Sequence, residues 1–310
     1  MRSLAPIILF VYNRPDETRR TLDALRKNDL AEQSELIIFS DAPKNSNEVS
    51  RVNDVRTLIS NISGFKQVTI IEQRYNKGLA NSIINGVNEI IKAQNKVIVL
   101  EDDLITSRLF LTYMNNCLDF YEENKTIWSI SGFTPNLAIP PDYKHDIYLT
   151  MRACSWGWAT WKDRWINIDW NINNYHQVSQ KKYRSKINRC GNDMRWMLSD
   201  QKKGYINSWA VRWCYNQLIK EMYTVYPTSS FICNIGMIGE GTHGSFRKEY
   251  VTNNINESIP HIENITEDER VVMSFAKCYD MKMYNYVGVI LKRIGLYKKV
   301  KLIIKSMIYR

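Results

Sequence analysis

The chain has 310 residues, 44% hydrophobic and 24% charged, a composition that suits one large globular domain or two. Its formal charge of +10 is unevenly spread: residues 281–310 carry eight basic side chains and no acidic one, which leaves +2 for the preceding 280 residues. A nearly neutral body argues against the broad basic face of a nucleic-acid-binding protein, and no apolar run approaches the ~20 residues of a membrane span.

Leu4 to Tyr12 is apolar but runs directly into Asn13-Arg14-Pro15-Asp16 with no small-residue cleavage site, so it reads as a buried strand rather than a signal peptide. Strands are predicted at Pro6 to Tyr12, Leu36 to Ser40, Val68 to Glu72 and Lys96 to Leu100, with a fifth at Ile127 to Ser131. They alternate with helical patterns, the signature of a mostly parallel α/β sheet. Pro15, Asp16 and Glu17 open a first helix that carries Leu22 and Leu25 on one face. A second helix runs roughly from Leu79 to Lys92, and a third carries Leu109, Tyr113, Leu118 and Tyr121.

After about residue 150 the character changes: eight of the nine Trp lie between Trp156 and Trp213. Helical patterns are predicted at Trp158 to Ile166, Asn192 to Lys202 and Trp209 to Glu221, followed by a glycine-rich loop at Gly236 to Gly244. The expected organisation is a first half at residues 1–130, a second half of the same domain at 131–260, and C-terminal helices at 261–310. Six scattered Cys without a metal-like spacing read as reduced thiols of a cytosolic protein.

Glu101-Asp102-Asp103 follows the very apolar strand Lys96 to Leu100. Ligands of open α/β sheets sit beyond the carboxyl ends of the strands. Three successive carboxylates there repel one another, and a divalent cation with all-oxygen ligation, Mg2+ or Mn2+, removes that cost. The alternative is an acidic turn at a helix N-terminus. Neither a GxGxxG turn nor a GxxxxGK[ST] loop occurs, so a diphosphate would be neutralised by the metal and by Arg14 and Arg74. That combination points to a nucleotide-diphosphate donor.

Five segments then fall in a telling order: Phe10 to Glu17 (FVYNRPDE), Thr18 to Leu25, Ile37 to Asp41 (IIFSD), Asn76 to Ala80 (NKGLA) and Val99 to Asp103 (VLEDD). With SWGWATW at Ser155 to Trp161, they resemble the GT-A-fold glycosyltransferases, above all N-acetylglucosaminyltransferase I and related bacterial polysaccharide glycosyltransferases, over roughly residues 6 to 245. The resemblance implies an α/β GT-A fold, a Rossmann-like mostly parallel sheet flanked by helices, with a helical C-terminal extension. It implies that Tyr12, Asn13, Arg14 and Gly78 line the nucleotide-sugar pocket, Asp41 meets the base, Glu101 and Asp102 contact the ribose or donor sugar, and Asp103 ligates the metal. Asn13 as a helix cap and Asp41 as a turn residue before Pro43 are the alternatives.

Aromatic rings suit the flat apolar faces of sugars, so Trp156, Gly157 and Trp158 are expected to form an acceptor platform with Trp209, and Trp161 and Trp165 to sit in the core. Asn234 to Gly244 resembles the family's lid, whose His243 would reach the diphosphate or metal. An inverting hexosyl- or N-acetylhexosaminyltransferase needs a carboxylate base. Asn207-Ser208 stand where the resemblance calls for paired carboxylates, so the nearby Asp193, Asp200 and Glu240 are the candidates, Asp200 first. Past Gly295, apolar and basic residues segregate on a helical wheel, the pattern of a helix lying on an anionic membrane, the alternative being a helix packed on the body or pairing with another subunit.

The sequence thus predicts a UDP-sugar-dependent transferase acting on a saccharide or lipid-linked acceptor in bacterial surface-polysaccharide synthesis, peripheral on the inner face of the cell membrane through residues 281–310. Its rivals are a catalytically silent nucleotide-sugar- or glycan-binding protein and a sugar nucleotidyltransferase.

Overall fold

The computed structural model describes residues 3–236, 255–281, 286–288, 291 and 293. Its centre is an eight-stranded sheet of β1 (Ile7–Val11), β2 (Glu35–Ser40), β3 (Gln67–Glu72), β4 (Lys96–Glu101), β6 (Ile127–Ser131), β7 (Ile147–Thr150), β8 (Trp158–Trp161) and β9 (Tyr223–Pro227). The strand order is β3-β2-β1-β4-β8-β6-β9-β7. The first four are mutually parallel, β8 is antiparallel to β4 and to β6, β9 returns parallel to β6, and β7 closes the edge antiparallel to β9. A separate two-stranded ribbon pairs β5 (Leu104–Thr106) with β10 (Ile232–Asn234). This is the α/β architecture expected from the sequence, a mostly parallel sheet flanked by helices.

Strand alternation sorts the core into two layers. From β1, Ile7, Leu9 and Val11 enter one layer with Leu22 and Leu25 of α1 (Pro15–Leu25), Val55 and Ile59 of α2 (Val49–Ser60), and Leu111 of α4 (Phe110–Phe120). Val271 and Phe275 of α9 (Glu269–Cys278) complete that side. Ile8 and Phe10 enter the other layer, with Ile83 and Val87 of α3 (Leu79–Ala93) and Trp165 of α5 (Lys162–Trp165). There they meet Ile187 of α6 (Lys181–Arg189), Leu198 of α7 (Asp193–Lys202) and Trp213 of α8 (Trp209–Ile219).

The helix predicted at Trp158 to Ile166 is corrected: Trp158–Trp161 is strand, and only Lys162–Trp165 is helical. Trp158 and Trp161, three apart, belong to opposite core layers. A spacing of three crosses a sheet in a strand but shares a face in a helix, and the pairing of Ile98 with Ala159 enforces the strand. All six cysteines are unbridged, and five are buried. Among the described residues no helix is long and apolar enough to cross a membrane. The amphipathic tail from Leu296 onward lies outside the described residues.

Candidate active site

In the parallel ladder Phe10 is level with Phe39 and with Glu101, so β1, β2 and β4 end at one edge. After β1 the chain goes outward to β2 and β3 and returns on the other side of β1 as β4, making the β1/β4 boundary a topological switch point, where open sheets leave a crevice. A cleft of about 840 Å3 opens there, lined among others by Tyr12, Asn13, Arg14, Asp41, Gly78, Glu101 and Asp102. Seven of the residues expected from sequence, far apart in the chain, therefore meet because three strand ends are in register.

Pro15 at the first position of α1 and its acidic first turn set the direction in which Arg14 leaves β1. Arg14 Nη1 lies 2.8 Å from Oδ2 of Asp103 and 3.7 Å from Oδ1 of Asp102. The Tyr12 N–H donates to Asp102 Oδ2 at 3.2 Å. Buried Thr21 of α1 fixes the turn behind the acidic triplet, donating to the Asp102 carbonyl at 2.9 Å and accepting from the Leu104 N–H at 3.1 Å. Burial, then repulsion from Asp103 and Asp102, pushes Glu101 up to about 8, and burial with repulsion from Asp103 pushes Asp102 up to about 7. Burial also raises Asp103, and Arg14 opposes it.

Asp41 lines the cleft, yet both its oxygens are engaged. The N–H groups of Ala42, Lys77 and Gly78 donate to it at 2.9 Å each, Asn76 Nδ2 at 3.2 Å and Ser82 Oγ at 3.4 Å. It clamps the loop that opens α3, where Gly78 adopts φ 72°, a left-handed turn that glycine permits. This saturation fits a loop-holding carboxylate better than one that reads a base directly.

Lys44, Glu48, Arg51, Glu17, Asn76, Leu79 and Ser82 also line the cleft and were not singled out from sequence. Glu48 accepts from the Tyr12 hydroxyl, from Asn13 Nδ2 at 3.4 Å and from the Lys44 N–H at 3.2 Å. Burial and then the Glu48 bond push the Tyr12 phenol up to about 12. A signal was present: Asn45-x-x-Glu48 has capping-box spacing, and the Asn45 side chain does accept from the Asn47 N–H at the turn leading into α2.

Other expected residues lie elsewhere. Arg74 is exposed and does not line the cleft. Trp158 is buried, its ring 4.3 Å from that of Trp213, 5.2 Å from Trp209 and 5.5 Å from Trp165, so Trp158 and Trp209 are core and not an acceptor platform. Gly157 is buried against Ile232, while Trp156 is half-buried edge-on to Phe133, and neither lines the cleft. Asp200, expected as the base, lies on α7, does not line the cleft and accepts from Arg293 Nε at 2.9 Å. Asn207 accepts from Arg212 and Ser208 caps α8, so both have structural work. Glu240 and His243, with the expected lid beyond Gly236, lie outside the described residues.

No family model matches the chain, and no curated protein matches it. Solved structures similar to it include a mannosyltransferase, PcManGT, from Pyrobaculum calidifontis in complex with GDP-Man and Mn2+, at 14% identity and a TM-score of 0.33 over 52% of this chain and 45% of that one. Another is S. aureus TarS, at 9% identity and a TM-score of 0.39 over 73% of this chain and 36% of that one. The matched part is less than half the length of either.

Proposed function

We propose that the chain is a metal-dependent glycosyltransferase of the GT-A type that takes its sugar from a nucleotide-sugar, in particular a UDP-sugar. The observation that carries this reading is that Arg14, Asp41, Glu101 and Asp102 line one cleft at the β1/β4 switch point, with Asp103 paired to Arg14 at its edge. The Tyr12 and Glu48 end would receive the nucleoside, and the Arg14 end the diphosphate.

Asp103, with Asp102 beside it, would hold Mn2+ or Mg2+. The donor set fits: the carboxylates are raised by burial and mutual repulsion, and Arg14 is the cation bridging Asp102 and Asp103. Among the described residues no group of three or more His, Cys, Asp or Glu converges on one point. One or two carboxylates completed by diphosphate oxygens and water is the habit of Mg2+ sites. When bound, the ion supplies Lewis-acid stabilisation of the departing diphosphate. Arg14 contributes a second positive charge beside that leaving group. Acceptance of the sugar by a saccharide or lipid-linked hydroxyl, an inverting outcome, a role in bacterial surface-polysaccharide synthesis and membrane contact through residues 281–310 belong to the same proposal.

Thermal unfolding with and without UDP, GDP and their sugars, each with Mn2+, tests it. A rise in Tm with UDP-sugars that requires Mn2+ is expected, and no shift with any nucleotide would overturn the reading. Protection by UDP-sugars without turnover against any acceptor would favour a catalytically silent binding protein.

A further inference from the structure

We infer that Gly236 is a positioning residue for the Asp103 carboxylate, required there because no side chain fits. The inference rests on the proposed metal role of Asp103 for its catalytic meaning, but not for its geometry.

The β5–β10 ribbon pairs Leu104 with Asn234, and the Ile235 N–H donates to the Asp103 carbonyl at 2.9 Å. The chain leaving β10 is thereby pinned to the residue it passes, and Gly236 comes to lie against the Asp103 side chain and in the wall of the cleft. A Cβ at position 236 would overlap Asp103 Oδ2 outright, and would stand 2.8 Å from Cγ and 3.1 Å from Cβ. Gly236 is not among the positive-φ glycines, so its backbone would accept any residue and the demand is for space alone.

The same Oδ2 accepts from Arg14 at 2.8 Å. The carboxylate is thus held between a guanidinium on one side and a bare backbone on the other. Rotating it to admit a methyl group would take Oδ2 off Arg14, and the Cγ contact means that rotation of the carboxylate plane alone is not enough. Gly236 therefore sets where the acidic triplet presents its third carboxylate, although it brings no functional group of its own.

The test is a cycle of Gly236→Ala, Asp103→Ala and the double variant, read by Mn2+ affinity from electron paramagnetic resonance and by Tm after EDTA treatment. Gly236→Ala is expected to weaken Mn2+ binding about 10- to 100-fold, the range for a residue that orients a ligand, and to lower the metal-free Tm. In the Asp103→Ala background the same substitution should lower Tm far less and leave Mn2+ affinity unchanged, since the Oδ2 and Cγ overlaps have gone and only the tight Cβ contact at 3.1 Å remains. Wild-type Mn2+ affinity in Gly236→Ala, or equal Tm losses in both backgrounds, overturns the inference. If Gly236→Ala alone does not fold, recovery of the fold in the double variant supports it and failure of the double variant overturns it. A wild type that binds no Mn2+ refutes the metal reading, and the Tm cycle still decides the role of Gly236.

Discussion

Arg14 and Asp103 form an ion pair 2.8 Å long across the mouth of the β1/β4 switch point, with Asp102 3.7 Å from the same nitrogen. The pair joins the end of the first strand to the end of the fourth, 89 residues later. The Arg14 side chain is 26% exposed and those of Asp102 and Asp103 are 9% and 15% exposed, so its removal leaves two partly buried carboxylates without their cation. Arg14→Met is expected to destabilise the metal-free protein by about 1–2 kcal/mol, below the value for a fully buried pair because solvent screens part of it. Urea unfolding in EDTA measures the loss, and Mn2+ should restore more stability to the variant than to wild type.

The raised carboxylates make the metal-free protein sensitive to alkali. Glu101 stands at about 8 and Asp102 at about 7, against roughly 4 in an unfolded chain. The folded state therefore keeps protons that the unfolded state has released. Their stabilising contribution is complete below pH ~4 and is lost as pH rises through 7 and 8. Tm of the EDTA-treated protein should fall between pH 5 and pH 9, and Glu101→Gln should flatten that slope. An unchanged slope in Glu101→Gln would contradict the assignment.

Asp200 is tied to Arg293, whose guanidinium lies 4.8 Å over the Trp196 ring, and Tyr286 meets the same ring edge-on at 5.6 Å. This side chain anchors the start of the C-terminal segment on α7. Asp200→Asn is expected to leave turnover within about twofold, where loss of a general base costs about 10²–10⁴-fold, and to speed proteolysis after residue 281. Product formation under saturating donor measures the first, and a timed tryptic digest the second.

Trp158 sits among Trp165, Trp209 and Trp213 in the layer beneath α3 and α8. Trp158→Ala should cost about 3–5 kcal/mol by opening a cavity. Trp156→Ala, half-buried at the edge of Phe133, should cost far less. Chemical denaturation of the two variants separates a fully buried tryptophan from a half-buried one.

The first half of the fold was legible because its strands are continuous apolar runs with helices between them, and the parallel pairing of such runs brings their carboxyl ends together without further information. Tyr12 to Arg14, Asp41, Gly78, Glu101 and Asp102 therefore line one cleft, by position as much as by type. The second half was not, because its aromatics have no single periodicity. Trp158, Trp161 and Trp165 match a helix in spacing, and only the partner strand β4 makes Trp158–Trp161 extended. Asp200 was expected at the site but does not line the cleft, for a related reason. Its nearness to Trp209 in sequence said nothing of Arg293, its partner 93 residues away. Glu48 was passed over because a carboxylate in a loop resembles any other until Tyr12 is seen to reach it.

The most direct measurement is UDP release from UDP-sugars with a saccharide or lipid-linked acceptor, in Mn2+ and in EDTA, for wild type and for Asp103→Ala. Release that requires Mn2+ and falls at least about 100-fold in Asp103→Ala is expected of a metal that stabilises the leaving diphosphate. Equal release by both proteins, or equal release in EDTA, would contradict the account.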